Sequence, residues 1–149
     1  MGARDVIGNA TAGAIATLAM SAVMVAGDRA GLMGEPPPTT ITRRALREAG
    51  VDRPSDAVSV LAPLSHLGFG ALGGIAYGFV RGRVPAVPGA PLGILFGLGV
   101  WAVSYRGWIP ALGILPPPEH DDPGRPAVMV AAHVVYGLAL GVLIRRSRT

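Results

Sequence analysis

From Val6 to Gly27 the chain carries no charged side chain, and three more apolar runs of similar length follow. At a rise of about 1.5 Å per residue, roughly 20 helical residues cross the hydrocarbon core of a bilayer. No water satisfies backbone N–H and C=O groups there, so a spanning segment must be a helix or part of a closed barrel. The runs lack the alternation of a barrel strand and are longer than one. The expected fold is therefore all-α, an integral membrane four-helix bundle forming one domain over residues 1–149. The expected spans are about 6–27, 57–80, 90–109 and 127–144. A cleaved signal peptide competes for the first run, because Arg4 precedes it, but that run exceeds a usual signal core and three others follow.

Composition agrees. Only 15% of the residues are charged, against about 25% in a soluble domain. The chain has no cysteine, which excludes disulfides, thiolate metal sites and cysteine nucleophiles. All 13 basic residues are arginine, and the net charge is +4. These arginines flank apolar spans, so anionic lipid headgroups are the expected partner and nucleic acid is not. Arg43, Arg44, Arg47, Arg145 and Arg146 are the candidates for such headgroup contacts. Four spans put both termini on one side, with six arginines there against seven on the other. The positive-inside rule therefore barely discriminates, and the lean is toward cytoplasmic termini.

Between the first two spans lies a polar stretch with Pro36, Pro37 and Pro38, then a segment in which Ile41, Ala45, Leu46 and Ala49 share one helical face. This pattern predicts a short amphipathic helix over about 40–50 on the membrane surface, ended by Gly50. Pro63 predicts a kink in the second span. Trp101, Tyr105 and Trp108 cluster near the end of the third, as aromatic residues do at headgroup level. Glu119, His120, Asp121 and Asp122 are adjacent in a Pro-flanked loop, where they cannot all face one ion; a solvated acidic loop is expected.

The chain also repeats itself. The second span carries His66-Leu-Gly-Phe69-Gly70 with Gly74, and the fourth carries His133-Val-Val-Tyr136-Gly137 with Gly141. Before them stand Leu32-Met-Gly-Glu-Pro-Pro-Pro38 and Leu112-Gly-Ile-Leu-Pro-Pro-Pro118. The order is the same in both halves, which points to two tandem helical hairpins related by an axis along the membrane normal, a parallel repeat. The interval from Pro38 to His66 is the longer one, by roughly the length of the surface helix.

Small residues every fourth position lie on one helical face and let backbones approach closely. Gly70, Gly74 and Gly78 form one such stripe, Gly137 and Gly141 a second, and Gly93 and Gly97 a third. His66 and His133 head two of these stripes at similar depth. Ionisable residues inside a membrane are costly and mark candidate functional sites. The candidate polar site is His66, His133, Tyr136 and Tyr105, for proton transfer or pH sensing; hydrogen bonding between helices is the plainer role. Two histidines without carboxylate or thiolate partners make no convincing metal site, and no cofactor motif is present.

The run Gly13-Ala-Ile-Ala-Thr-Leu-Ala-Met-Ser21, Gly31-Leu-Met with the prolines after it, and the two His-x-x-aromatic-Gly motifs together resemble small bacterial inner-membrane proteins of the YagU-like group. The resemblance implies a bacterial cytoplasmic-membrane location and a role connected with acid stress, and it transfers no catalytic residue. Three readings follow. One is a non-enzymatic structural or stress-related membrane protein, self-associating through its glycine faces. The second is a small proton or solute transporter or channel lined by the two histidines. The third, weakest, is a lipid-modifying enzyme with a histidine base.

Overall fold

The computed structural model describes residues 2–51 and 54–144, and every regular element among them is helical. Arg145 and Arg146 lie outside the described residues. Helix α1 covers Ala3–Arg29, α2 Pro37–Glu48, α3 Pro54–Arg83, α4 Gly89–Ala111 and α5 Arg125–Leu143. Within α4, Ser104–Trp108 forms a π-helical turn. All except α2 are long and apolar enough to cross a membrane. Their outer surfaces fit that solvent: Ile7, Leu72, Leu95 and Val103 are each at least 66% exposed. So many bare aliphatic side chains would form an aggregating surface in water. The chain is a multi-pass membrane protein.

Local sequence sets the helix ends. The Gly2 N–H donates to Asp5 Oδ2 at 2.9 Å and begins α1. Helices α1, α2 and α4 each finish with a glycine at positive φ: Gly31 at 72°, Gly50 at 79° and Gly113 at 64°. In each case the next N–H reaches back five residues, from Leu32 to Gly27, Val51 to Leu46 and Ile114 to Ile109, at 2.9–3.1 Å. This turn satisfies carbonyls that the helix end would otherwise orphan. Helix α2 begins earlier than the expected residue 40. Pro37 and Pro38 occupy its first turn, where a missing N–H costs nothing because the helix has no use for it. Helix α3 runs on through Pro63, whose ring removes one N–H from the ladder.

The helices pack through glycine. A Cβ placed on Gly13 would lie 2.3 Å from the Gly70 carbonyl oxygen, and one on Gly74 would lie 2.2 Å from that of Asn9. These contacts join α1 to α3. Between α4 and α5, a Cβ on Gly93 would lie 2.1 Å from the Gly137 oxygen, on Gly97 2.2 Å from that of His133, and on Gly141 2.3 Å from that of Gly89. Backbone lies against backbone at these points, and no other residue fits without moving a helix. Gly78 differs, because it faces the Asn9 side chain. Helix α1 also packs along α5, where Gly27 meets Val128.

The result is the order α3, α1, α5, α4, with the outer two helices touching mainly beside their own connection. There the Tyr77 hydroxyl donates to the Gly89 carbonyl at 2.9 Å, and its ring meets Phe96 edge-on at 5.4 Å. Away from that contact α3 and α4 diverge. Helix α2 lies against the start of α3, burying Pro37 and Thr42, with Thr42 Oγ1 3.3 Å from Ser65 Oγ. The buried face of α2 therefore centres on Thr42 and Pro37. Ala45 and Ala49, expected on the apolar face, are exposed.

Candidate functional site

The divergence of α3 and α4 leaves a cavity of about 430 Å³ that opens to the outside. Helix α1 supplies Thr17, Met20 and Met24 to its wall, and α2 closes one end with Pro37, Pro38 and Ile41. Phe69, Leu72, Phe96, Val100 and Trp108 flank the opening on α3 and α4. The volume falls within the usual range for small-molecule sites, and the lining is mostly apolar.

His66 from α3 and His133 from α5 both line this cavity and lie within electrostatic range of each other. The chain therefore brings the two motif histidines to one site. His133 Nδ1 lies 2.8 Å from the Met129 carbonyl of its own helix. A carbonyl only accepts, so Nδ1 carries the proton and Nε2 of the neutral ring is left as an acceptor. His66 Nε2 is shielded from solvent and has no hydrogen-bond partner. Tyr136 also lines the cavity and donates to the Gly70 carbonyl at 2.8 Å, tying α5 to α3.

Tyr105 does not join them. Its hydroxyl donates to Asp121 in the loop before α5, and the residue is fully buried away from the cavity. Helical spacing is the reason. At about 100° per residue, Tyr105 lies about 140° around the axis from Val100 and about 180° from Phe96, which both line the cavity.

Tyr105 belongs to a polar clasp that the sequence reading missed. Arg125, 6% exposed, donates from Nε to the Met33 carbonyl at 2.7 Å. Its Nη1 meets Asp121 Oδ1 at 2.6 Å, and its Nη2 meets Asp122 Oδ2 at 3.0 Å. The Asp121 side chain is only 1% exposed. The expectation of a solvated acidic loop therefore fails at Asp121, though it holds for Asp122, which is 71% exposed. No helical spacing signals this pair, because Asp121 is extended and lies before the N-cap Gly124 of α5, so the contact depends on the path of the loop. Met33 follows α1 and Arg125 begins α5, so the clasp joins residues 92 positions apart.

The arginines expected at headgroups are partly engaged already. Arg43 pairs with Glu35 at 2.6 Å and Arg44 with Glu48 at 2.5 Å, while Arg47 stands exposed. Arg106 pairs with Glu119. The hydrogen bond from Arg43 is the main cause holding the Glu35 carboxyl below its ordinary range. Among the described residues, no group of three or more histidine, aspartate or glutamate side chains is placed to hold a metal ion.

No curated protein and no solved structure matches this chain, and nothing in the comparisons supports the narrower resemblance to the YagU-like group. A family model matches residues 3–149, and the chain belongs to that family, DUF6789, a family of unknown function.

Proposed function

We propose that this protein is a non-enzymatic, multi-pass protein of a bacterial cytoplasmic membrane that takes up a small apolar molecule from the bilayer. The observation that carries the reading is the half-open apolar cavity between α3 and α4, closed at one end by Tyr77 and Phe96 and at the other by α2. An apolar solute already dissolved in lipid reaches such a site sideways, without crossing water. The two histidines are the polar groups that would orient it.

The protein is a four-helix bundle of two tandem hairpins, and the packing supports the repeat. Gly13 faces the Gly70 carbonyl and Gly74 that of Asn9; in the second half Gly93 faces the Gly137 carbonyl and Gly141 that of Gly89. Both halves thus use the same register, with His66 and His133 in equivalent places. The exchange of halves maps the close α1–α5 contact onto the α3–α4 pair, which has parted. The cavity is where the repeat departs from its own symmetry. The glycine faces meet within one chain, so a homo-oligomer would use other surfaces.

Binding of a lipophilic fluorescent probe to protein in nanodiscs tests the reading. Filling the cavity with Val100→Trp should abolish binding while thermal stability stays close to wild type. Equal binding by both proteins would refute it. The paired histidines favour a second reading, transfer of protons or a small solute. Proton flux into liposomes, compared with a His66→Ala/His133→Ala variant between about pH 5 and 8, where histidine titrates, decides that reading.

A further inference from the structure

The cavity is built to accept hydrogen bonds and has little to donate. Four hydroxyl side chains line it, and each already donates to a backbone carbonyl: Thr17 to Gly13 at 2.8 Å, Ser65 to Ala62 at 3.0 Å, Ser104 to Val100 at 2.7 Å and Tyr136 to Gly70 at 2.8 Å. A hydroxyl has one proton, so only its oxygen lone pairs remain for a ligand. His133 has likewise given its Nδ1 proton to Met129 and offers Nε2 as an acceptor. Pro37 and Pro38, at the closed end, have no N–H. The side-chain donors left are the indole N–H of Trp108 and the ring of His66, whose Nε2 has no partner.

A ligand must therefore bring its own proton. It must also be uncharged, because the described residues of the lining include no carboxylate to balance a cation and no guanidinium to balance an anion, and an anion would be met only by protonating a histidine in this apolar setting. Placing an unpaired ion in such surroundings is prohibitively unfavourable. Its body must be apolar to cover the methionine, phenylalanine and aliphatic walls. We propose that the cavity binds a neutral lipid carrying a free hydroxyl group, which donates to His133 Nε2 and accepts a hydrogen bond from His66. This rests on the reading of the cavity as a binding site and adds the chemistry of its ligand. An ester, ketone or ether of the same shape would leave His133 without a donor, and an unpaired buried acceptor weakens binding.

The test uses the full-length protein in nanodiscs and a photoreactive long-chain primary alcohol, its methyl ether and the matching trimethylammonium. Crosslinking yields are measured by mass spectrometry against probe concentration. The alcohol should bind about tenfold more tightly than the ether, the effect of one hydrogen bond in a dry site. The ammonium should not bind, and crosslinks should map to the cavity walls. Alcohol and ether binding equally would overturn the hydroxyl inference while leaving the cavity reading intact. Ammonium binding as well as alcohol would overturn the requirement for a neutral group. Binding by none of the three would overturn the cavity reading itself. In a His133→Phe variant the alcohol should lose its advantage over the ether. The wild-type comparison stands even if that variant fails to fold. Independently, the imidazole ¹⁵N spectrum should show His133 as the Nδ1–H tautomer, and the Nε2–H form would remove the acceptor on which the proposal depends.

Discussion

Replacing Arg125 by methionine, which keeps most of the side-chain length, should be among the most damaging single changes in the molecule. It leaves Asp121, whose side chain is 1% exposed, with the Tyr105 hydroxyl and the Asp122 N–H as donors but no counter-charge at Oδ1, and it removes the donor to the Met33 carbonyl. Breaking a buried pair from one side costs about 3–5 kcal/mol, because an uncompensated charge remains. Asp121→Asn should cost less, since Arg125 keeps Asp122 and the Met33 carbonyl as acceptors. Asp122→Asn should cost at most about 1 kcal/mol, because that carboxylate is 71% exposed. The double variant Arg125→Met/Asp121→Asn has no stranded charge. It should be more stable than the sum of the two single losses by about 1–3 kcal/mol, as expected of residues in one network. Reversible unfolding in mixed micelles, followed by circular dichroism across denaturing-detergent fraction, gives all four energies. Additivity of the two single changes within about 0.5 kcal/mol would falsify the clasp as a coupled unit.

Two further predictions concern packing and pH. Gly93→Ala should destabilise by about 1–3 kcal/mol in the same assay, since its Cβ would lie 2.1 Å from the Gly137 oxygen and the helices must part. Gly99→Ala, with nothing within 4 Å, should be neutral or stabilising and serves as the control. The Glu35–Arg43 pair should give the α1–α2 corner an acid sensitivity. Because Arg43 depresses the Glu35 carboxyl, its contribution is present above the ordinary glutamate range and is lost as pH falls below about 4. Protection of the α2 amides against hydrogen exchange, relative to the intrinsic rate at each pH, should fall there, and Glu35→Gln should show the lower protection both above and below that range.

The four spanning helices were legible because hydropathy along the chain is a one-dimensional signal and lipid permits few alternatives. The cavity was not, because it depends on α3 and α4 diverging beyond Tyr77, and no local pattern records the distance between two helices. Tyr105 was grouped with the histidines for its hydroxyl alone, although its spacing from Phe96 and Val100 puts it on another face of α4, toward Asp121. Asp121 was misjudged because a Pro-rich acidic loop reads as solvated, whereas a single arginine at the start of α5 draws it inside. Helix α2 was placed late because three prolines read as a stop, although two of them form its first turn.

The sideways opening between α3 and α4 changes what concentration means for this protein. Its solvent is two-dimensional, so under the proposed function occupancy follows the mole fraction of a ligand among the surrounding lipids, and the aqueous level matters only through partitioning. A compound that binds feebly by the standards of a water-exposed site can saturate this one once it is an ordinary membrane constituent.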